Sequence, residues 1–367
     1  MSMVVTKTKE IITMNNSRYY VDFHVIQTVP PSCVNRDDTG RPKTATYGGV
    51  HRARVSSQAW KHAIRVMFKD IFASEKLGLR TKYVAKLIAD KLILSGMDPD
   101  EAAKKSVNAL KTAEITTDSK KEDMMIKALF FISAMQVEKL AELILNGTVD
   151  KKTCKEALKN LPSIDIALFG RMVAYDVDFN VDAACQVAHS ISTHAIQDEY
   201  DYFTALDDYK QTDDAGAGHL GTMEFNSSTL YRYATVNVLD LFKSVGADTP
   251  AAVAGFAEAF VRSMPTGKQN SYANRTLPDL VYVTIREDQP VNLSGAFEEP
   301  VKSNNSGFAK KSCEKLFTYA EKIYADYSGK PKYSFVVGYD GANLGAEKMC
   351  INDLLDKLTK IISEEVR

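Results

Sequence analysis

Residues 30–69 read PPSCVNRDDTGRPKTATYGGVHRARVSSQAWKHAIRVMFK and combine a turn, a short strand and a helix in close succession. The Gly-Gly pair predicts the turn, and the alternating residues HRARVS predict the strand. That alternation places Arg52, Arg54 and Ser56 on one face of the strand and apolar residues on the other. The unit therefore predicts a domain that mixes strands with helices.

The helix of this unit is amphipathic. A serine at position 56 or 57 is suited to cap it, since a serine hydroxyl accepts a hydrogen bond from an unpaired backbone N–H. Apolar side chains recur at core spacing: Trp60, Ala63, Ile64, Met67 and Ile71. The opposite stripe is polar and mostly basic: Gln58, Lys61, His62, Arg65 and Lys69. A helix N-terminus and a basic stripe both favour anions, so the unit is suited to bind phosphate.

The positive charge of this region is local. No acidic residue lies between Asp38 and Asp70, whereas the formal net charge of the whole chain is −1. A solvent-exposed amphipathic helix beside a charged strand would give the same pattern, but the absence of a balancing acid favours phosphate recognition. Because the chain as a whole is nearly neutral, any nucleic acid would have to bind in a defined groove.

The composition is that of a soluble globular protein, with 45% hydrophobic and 25% charged residues over 367 positions. This length allows one elaborate domain or two ordinary ones. No apolar run approaches the roughly 18 residues of a membrane span, and the N-terminus lacks the pattern of a signal peptide. The five cysteines are scattered without a CxxC pair, which favours a reducing compartment over disulfides or a structural zinc site. A cytoplasmic protein without membrane contact is expected.

The remaining pattern predicts an α+β domain. Without its insertions, the chain up to residue 287 follows the order β-α-β-β-α-β. This is the order of ferredoxin-like and RNA-recognition-motif folds, a sheet with helices on one face. Besides the first helix, the elements are strands at 19–29, 162–175, 229–241 and 279–286 and a helix at 249–264.

Other segments are predicted as insertions or additions to this order. Residues 75–160 are mostly helical, whereas residues 197–225 lack a sustained period. The shorter segments are a helix or turn at 181–191, a strand at 191–197, a helix at 308–326, a strand at 332–339 and a final helix from about Ala346.

Several motifs lack the context that their chemistry requires. GAGHLG (Gly216, Gly218, Gly221) neither follows a clear strand nor opens a helix, and PTGKQN lacks the upstream glycine and the Ser/Thr of a P-loop. The six histidines have no HExxH helix or cysteine cluster around them. Paired aspartates at 37–38, 207–208 and 213–214 could hold a metal ion, but turn formation is the simpler explanation. No catalytic residue, metal site or cofactor is assigned.

The block SCVNRDDTGRPKTATYGGVHRARVSSQAWKHAIR closely resembles the start of the backbone subunits of the type I-E CRISPR surveillance complex, Cascade. The blocks DIALFGRM, AHSISTHAIQDEYDYFTALDD, GHLGTMEFNSSTLYRYATVNV and PTGKQNSYA continue the resemblance in the same order. The resemblance covers most of the chain from Tyr19 to about residue 300, and it is looser in the helical insertion and the C-terminal part.

This resemblance implies a fold with three parts: an RNA-recognition-motif-like palm, a helical fingers insertion and a protruding thumb hairpin. The palm maps onto residues 19–74, 161–196 and 227–367, the last range including C-terminal helices. The fingers map onto residues 75–160 and the thumb onto residues 197–226. Residues 1–18 form an N-terminal extension.

The resemblance also implies a non-catalytic function in antiviral defence. Family members stack head to tail along the spacer of the CRISPR RNA (crRNA) and bind its sugar-phosphate backbone. They push every sixth nucleotide out of register and leave the others free to pair with target DNA. The implied partners are crRNA, the target DNA strand, further copies of the chain and the other Cascade subunits: the large subunit, the small subunit, the subunit that caps the 5′ handle and the endonuclease subunit that processes crRNA.

Site residues are carried over position by position. The backbone-contacting positions of the family match Arg36, Ser56, Gln58, Lys61, His62, Arg65, Lys268 and Gln269, and Arg54 joins them from the same strand face. Met172 matches the apolar residue that wedges beside the displaced base. The thumb residues expected near the RNA are His219, Leu220, Thr222 and Met223. Three positions depart from the family: His62 and Asn270, where basic residues are usual, and Phe169, where a small residue is usual.

Two other functions are compatible with the sequence. Related backbone subunits of other CRISPR types cleave RNA with an aspartate and a metal ion, so Asp37, Asp38 or a thumb aspartate could act in this way. A generic RNA-binding module that acts alone would also carry a basic patch. Cleavage of complementary RNA in the presence of Mg²⁺ would favour the first function, and tight binding of short RNA by a monomer would favour the second.

Overall fold

The computed structural model describes residues 18–117, 125–173, 176–205, 219–303 and 305–366. The strands in these ranges are β1 (Tyr20–Ser32), β2 (Thr44–Tyr47), β3 (Val50–Val55), β4 (Gly78–Thr81), β5 (Phe130–Ser133), β6 (Cys185–Val187), β7 (Ser190–Ser192), β8 (Glu199–Ala205), β9 (His219–Asn237), β10 (Leu280–Arg286), β11 (Tyr333–Val337) and β12 (Glu347–Lys348). The helices are α1 (Ser57–Ile71), α2 (Val84–Leu94), α3 (Pro99–Thr112), α4 (Ala134–Leu145), α5 (Lys151–Lys159), α6 (Ile164–Phe169), α7 (Val238–Val245), α8 (Thr249–Arg262), α9 (Gln269–Tyr272), α10 (Ala309–Ile323) and α11 (Ile351–Glu365).

One large sheet contains ten of the strands in the described ranges, and β1 lies near its centre. The strand order is β12-β11-β10-β1-β9-β7-β3-β2, and β6 and β8 also pair with β9. The neighbours are antiparallel except for β11 and β12, which are parallel. The register of β1 against β9 shifts between Val29 and Ser32, just before the chain enters the loop of residues 33–43.

The first face of the sheet packs against α1, α8 and α11. The alternating residues Val21, Phe23 and Val25 of β1 point into this core, as the sequence predicted. Phe23 meets Phe256 of α8 edge to face, with ring centroids 5.4 Å apart. The predicted cap of α1 is also confirmed, since Ser56 accepts a hydrogen bond from the N–H of Ala59 at 3.3 Å.

The second face of the sheet is also covered, so the expectation of helices on one face only is wrong. Helix α10 packs on this side, and its Phe317 meets Tyr282 of β10 at 5.0 Å between ring centroids. Asp22 and His24 of β1 are buried on this face. Because β1 is buried on both faces, the alternation along it marks two different cores rather than a core and a solvent side.

Residues 75–160 contain a separate apolar core. It is built mainly from α2, α3, α4 and α5, and the small sheet of β4 and β5 flanks it. The mostly helical prediction for this range is confirmed. The separate core shows that the insertion packs against itself in addition to contacting α1 and α6.

Four predicted elements differ from the structure. Residues 162–175 were expected to form a strand, but residues 164–169 are helix α6. Five of its six residues are buried, and an apolar run without periodicity does not distinguish a strand from a buried helix. The place beside β9 is taken by β6 and β7, within residues 181–197, where a helix or turn and one strand were expected. The strand predicted at 229–241 ends at Asn237, which caps α7, and the last helix begins at Ile351 rather than near Ala346.

The helices predicted at 249–264 and 308–326 and the strands predicted at 279–286 and 332–339 are confirmed as α8, α10, β10 and β11. The predicted N-terminal extension, apart from Arg18, and the paired aspartates at 207–208 and 213–214 lie outside the described residues. Gly216 and Gly218 of the GAGHLG motif also lie outside them. In the described part of the chain, no helix combines the length and the apolar character needed to cross a membrane.

Candidate nucleic-acid interface

Arg36 is exposed on the loop after β1 and stands between two clefts. The first, of about 530 Å³, is lined by residues 34–38 and 265–267 and by Gly40, Ala59 and His62. The second, of about 520 Å³, is lined by Arg36, Thr39, Gly40, Arg41, Tyr200, Phe203, Thr222, Met223, Glu224 and Lys268. The two clefts are called the loop groove below. The groove brings together five predicted contact positions from distant parts of the chain: Arg36, His62, Thr222, Met223 and Lys268.

Asp37 holds the Arg36 loop in a tight turn. Its carboxylate accepts hydrogen bonds from the hydroxyl of Thr39 at 2.7 Å, the N–H of Thr39 at 2.9 Å and the N–H of Arg41 at 3.0 Å. The Thr39 hydroxyl, followed by these backbone groups, lowers the pKa of Asp37. This is the turn role expected of an aspartate that is followed by small and glycine residues.

A glycine presses the Lys268 loop against the Arg36 loop. A Cβ atom on Gly267 would lie 2.1 Å from the carbonyl oxygen of Val34, so only glycine allows this approach. The next residue, Lys268, has a left-handed backbone with φ of 51°. A side chain with positive φ is uncommon and occurs where the surrounding structure enforces it. The predicted contact Gln269 follows on the short helix α9 and is half-buried.

The cations of the loop groove differ in their partners. Arg41 pairs with Glu224 at 2.9 Å. Among the residues that the structure describes, neither Arg36 nor Lys268 forms an ion pair. Both lower the pKa of the Cys33 thiol, against the larger effect of burial that raises it, which places both charges near the same buried sulfur. The groove therefore has two cations available to an anionic ligand, although Asp37 and Asp38 also line it.

A two-stranded hairpin forms one wall of the groove. β8 pairs with β9 from Glu199↔Phe225 to Ala205↔His219. A Cβ atom on Gly221 would lie 2.3 Å from the ring of Phe203, so this glycine lets the ring cross the hairpin. Thr222 is exposed and Met223 is half-buried, whereas the side chains of His219 and Leu220 lie outside the description.

Helix α6 lies along the basic stripe of α1, and its Asp165 compensates part of the positive charge of that stripe. Arg65 donates a hydrogen bond to the carboxylate of Asp165 at 3.0 Å, and Asp165 is 3% exposed. The other carboxylate oxygen of Asp165 accepts the N–H of Gly78 at 2.8 Å. One turn earlier on α1, the ammonium of Lys61 lies 5.7 Å from the ring centroid of Phe169. The expectation that the basic stripe has no balancing acid is wrong, because Asp165 comes from a helix 100 residues further along the chain.

Phe131 of β5 lies at the centre of this contact. The guanidinium carbons of Arg65 and Arg80 are 4.4 and 5.0 Å from its ring centroid. Arg65, Arg80, Phe131, Gly78 and Asp165 are called the Phe131 junction below. The junction connects α1 of the large sheet to β4 and β5 of the helical insertion, so Arg65 has a structural role besides any contact with a ligand.

The predicted basic face of β3 is not a single exposed surface. Arg52 is fully buried and donates hydrogen bonds to the carbonyls of Ser192 at 3.0 Å and Phe297 at 2.8 Å. Ser56 is buried as the helix cap. Arg54 is half-buried and donates to the carbonyl of Thr44 at 3.0 Å. Ser192 and Phe297 come from distant parts of the chain, so the alternation along β3 could not show that their segments would cover Arg52. Gln58 and His62 of α1 are exposed, as predicted.

Met172 is 85% exposed, and the residue before it holds the segment in place. Arg171 donates hydrogen bonds to the carbonyls of Phe179 at 2.8 Å, Phe131 at 2.9 Å and Leu158 at 2.6 Å. An apolar side chain fixed in solvent in this way is available to a partner. The resemblance to a known family pointed to Met172, whereas no sequence pattern indicated a role for Arg171.

Arg232 is another residue that the sequence analysis missed. It is buried, with its guanidinium carbon 3.7 Å from the ring of Trp60, and it donates a hydrogen bond to Gln27 at 2.6 Å. Burial lowers its pKa to about 9. Gln27 in turn donates to the carbonyl of Thr276 at 2.9 Å. Arg232 therefore supports, through Gln27, the end of the loop that contains Lys268. The aromatic and basic residues of YRYA gave no signal for this role, because buried arginines are rare.

The described residues contain no group of three or more histidine, cysteine or acidic side chains placed to hold a metal ion. The loop groove and the Phe131 junction present guanidinium and ammonium groups beside exposed aromatic side chains, and such groups can bind anions.

Comparison with known proteins gives a family and several similar structures. No curated protein matches the chain. Two of the similar solved structures are the following. A chain of a "CRISPR RNA-guided surveillance complex, pre-nicking" has a TM-score of 0.77 and 31% identity, and the match covers 94% of this chain and 100% of that chain. A chain of a "CRISPR RNA-guided surveillance complex" has a TM-score of 0.69 and 27% identity, over 92% and 99% of the two chains. A model of the family described as CT1975-like protein matches residues 21–361, and the chain therefore belongs to the CT1975-like protein family.

Proposed function

We propose that this chain is the crRNA-binding backbone subunit of a type I-E CRISPR surveillance complex, Cascade. The observation that carries the proposal is the loop groove, where Arg36 is exposed, Lys268 is half-buried, and neither has an ion pair among the described residues. These cations bind the sugar-phosphate backbone and leave the base edges free to pair with a target strand. The similarity to chains of two surveillance complexes supports the same assignment.

The sheet supports a palm of the RNA-recognition-motif type. The strands β1, β7, β9 and β10 occur in the order β10-β1-β9-β7, with α1 and α8 as the two connecting helices on one face. This is the split βαβ arrangement of ferredoxin-like folds. The separate core within residues 75–160 supports a fingers part, and the β8–β9 hairpin supports a thumb.

Assembly follows from many weak contacts along one RNA. Each phosphate contact by Lys or Arg changes the slope of log affinity against log salt concentration by about 0.7 on a single strand. Several copies on the same RNA convert weak contacts into a long-lived complex. A head-to-tail contact uses two different surfaces of the chain, so it continues as an open helix. In this arrangement the hairpin of one copy and its exposed Met172 displace every sixth nucleotide of the crRNA.

The proposed function of the protein is non-catalytic. Asp37 supports this proposal because its carboxylate is engaged by the backbone of its own loop. Its proposed partners are crRNA, the target DNA strand, further copies of the chain and the other Cascade subunits, in the cytoplasm.

The test is the size of the bound RNA together with the removal of the two free cations. The full chain expressed with a CRISPR array and its neighbouring subunits is expected to co-purify with RNA of guide length, in a particle whose mass grows with spacer length. The double variant Arg36→Ala, Lys268→Ala should lose most of this RNA and stay folded. The matched control is Lys322→Ala, Lys330→Ala, which removes two exposed cations on the α10 side.

Undiminished RNA in the Arg36, Lys268 variant would contradict the proposal. A monomer that binds short RNA with no dependence on length would support a stand-alone RNA-binding module instead. Incubation of the particle with complementary RNA and Mg²⁺ completes the test, since cuts at intervals of six nucleotides would identify a nuclease.

A further inference from the structure

Two arginines from different parts of the chain pack against one aromatic ring. Arg80 is paired with Phe131 across the β4–β5 ladder, and Arg65 reaches the same ring from α1. Their guanidinium carbons lie 5.0 and 4.4 Å from the ring centroid, so the two charges are no further apart than the sum of these distances. The two positive charges repel each other, and the charge of Arg65 is one of the causes that lower the pKa of Arg80.

Only one of these charges has an ion-pair partner within the described residues, because the single carboxylate of Asp165 binds Arg65 directly and acts on Arg80 only from a distance. Asp165 uses one carboxylate oxygen for Arg65 at 3.0 Å and the other for the N–H of Gly78 and the hydroxyl of Ser163, at 2.8 and 2.7 Å. The side chain of Arg80 has neither an ion pair nor a hydrogen bond among the described residues. Its pKa is lowered, first by desolvation and then by the charge of Arg65, and the charge of Asp165 opposes this only in part. One positive charge at the Phe131 junction is therefore left for an external anion.

The surface around Arg80 is open and continues to be basic. Arg80 is exposed and Lys82 is half-buried two residues later. The carbonyl of Lys82 accepts the N–H of Ile126 at 2.9 Å, which brings the exposed Lys127 beside it. Packing against Phe131 restricts the arginine side chain, so less conformational entropy is lost when it binds a ligand.

We propose that Arg80 binds a phosphodiester group of a single nucleic-acid strand at the Phe131 junction. The inference rests on the proposed function and extends its binding surface from the loop groove onto the helical insertion. The phosphate takes the place of the carboxylate that Arg80 lacks, and the guanidinium donates N–H groups to its oxygens. Arg65 contributes its charge from the α1 side of the ring while it remains bound to Asp165. The strand is either the guide RNA or the DNA that pairs with it, since both present the same phosphodiester chemistry.

The test uses the full chain and three variants: Arg80→Gln, Arg80→Lys and the control Lys322→Gln, which neutralises an exposed cation on α10. Binding of a guide-length single-stranded RNA is measured over a range of salt concentrations. Capture of a complementary single-stranded DNA by the preassembled particle is measured in parallel. Far-UV circular dichroism and thermal unfolding compare each variant with wild type.

Arg80→Gln should weaken binding at low salt and reduce the salt slope by about 0.7. Arg80→Lys should restore the slope, since it keeps the charge, and Lys322→Gln should behave as wild type. A loss confined to RNA assembly places the guide backbone at Arg80, and a loss confined to DNA capture places the target strand there. Both outcomes support a phosphodiester site.

Unchanged RNA and DNA binding by a folded Arg80→Gln protein would overturn the inference. If Arg80→Gln is destabilised, Arg80→Lys distinguishes a phosphate contact from a structural role. Lysine keeps the charge but lacks the stacked guanidinium, so it would not restore the salt slope if the role of Arg80 were structural. The proposed function fails separately: wild type would then bind no RNA, or the Arg36→Ala, Lys268→Ala variant would keep it. Loss of RNA in that double variant together with wild-type binding by Arg80→Gln would contradict the Arg80 site alone.

Discussion

The loop groove and the Phe131 junction are both basic, but the partners of their cations differ. In the groove, Arg36 and Lys268 have no ion pair among the described residues and are held in place by backbone contacts between loops. At the junction, Arg65 is bound to the buried carboxylate of Asp165 and stacked on Phe131. A run of basic residues therefore shows where positive charge enters the fold, but its partners decide whether that charge supports the fold or binds a ligand.

This comparison predicts two kinds of variant. Removal of Asp165 or Arg65 at the junction should lower the free energy of unfolding, because it leaves a buried group without its partner. Removal of the cations Arg36 or Lys268 in the groove should lower RNA affinity with little effect on stability, because neither side chain is buried or has an ion pair among the described residues. This distinction would be contradicted if the groove variants lost stability and the junction variants lost only RNA affinity.

The largest effect is expected for Asp165→Ala. The substitution leaves Arg65 without its carboxylate beside Arg80 and removes the acceptor of the Gly78 N–H and the Ser163 hydroxyl. Breaking a buried ion pair by removing one partner typically costs about 3–5 kcal/mol, and the lower end applies because Arg65 is partly exposed. Urea denaturation of the full chain gives the change in the free energy of unfolding.

Asp38→Ala is the matched control for that experiment. Asp38 is exposed in the loop groove, so its removal should change stability by less than about 0.5 kcal/mol. Equal stabilities for the two variants would show that Asp165 does not hold the junction together.

Gly267→Ala should have the next largest effect, and it tests how the groove is held. The new Cβ would lie 2.1 Å from the carbonyl oxygen of Val34, and overpacking of this kind costs about 1–3 kcal/mol. The loop can relieve the clash only by moving Lys268 away from Arg36, so RNA affinity should fall as well. Denaturation and RNA binding are measured on the same preparation.

Gly345→Ala provides the control for backbone strain without a clash. Gly345 has φ of 80°, and a Cβ atom on it would have no heavy atom within 4 Å, so the substitution introduces strain alone. It should destabilise the protein and leave RNA affinity unchanged. Retained RNA affinity in Gly267→Ala would show that the close approach of the two loops is not needed for the groove.

Much of the fold follows from local pattern. The amphipathic period gave α1 and α8, and β-branched and aromatic runs gave β1, β10 and β11. The prediction failed for α6, where almost every residue is buried and the helical period is absent. It also failed for the second face of the sheet, because α10 lies about 300 residues after β1 in the chain. Local periodicity does not contain information about such distant packing.

The candidate site divides in the same way. Exposed positions such as Arg36 and Met172 follow from the sequence and its resemblance to a family, and the structure leaves both exposed. Arg52, Arg171 and Arg232 are buried among backbone carbonyls or aromatic rings, although a surface location is the usual expectation for arginine. The partner of Arg65 was also invisible, since a charge pattern within 40 residues contains no information on an acid 100 residues away.

Lys268→Ala tests the groove without disturbing the fold. Removal of one phosphate contact should reduce the salt slope of RNA binding by about 0.7, with unfolding unchanged. Lys91→Ala is the control, because Lys91 is half-buried like Lys268 and already pairs with Glu138 at 2.7 Å on the helical insertion. The distinction between groove and junction is supported if Lys268, which has no ion pair among the described residues, contributes to the salt slope and Lys91 does not. Equal slopes for both variants and wild type would mean that Lys268 does not touch phosphate.

The smallest effect, and the one that separates a turn residue from a catalytic one, is expected at Asp37. Asn also forms the side-chain-to-backbone turn, so Asp37→Asn should keep the loop and remove a negative charge beside Arg36. RNA affinity should then rise by about twofold to fivefold at low salt, and the gain should vanish near 1 M salt, where the screening length is about 3 Å. Asp37→Ala removes the acceptor of the Thr39 and Arg41 N–H groups and should weaken binding instead.

The pH dependence of Asp37 follows from the same hydrogen bonds. Because the Thr39 hydroxyl lowers the pKa of Asp37, its stabilisation of the turn is complete above the usual carboxyl pKa of about 3.9 and is lost as the pH falls through the lowered value. Asp37→Asn lacks the part of this stabilisation that depends on the charge, so wild type should be more stable than the variant above about pH 4, and the two should converge as the pH falls further. If Asp37 instead held a catalytic metal ion, Asp37→Asn would abolish Mg²⁺-dependent cleavage of complementary RNA. Weaker RNA binding by Asp37→Asn than by Asp37→Ala would contradict the turn role, since only the asparagine retains the loop that presents Arg36.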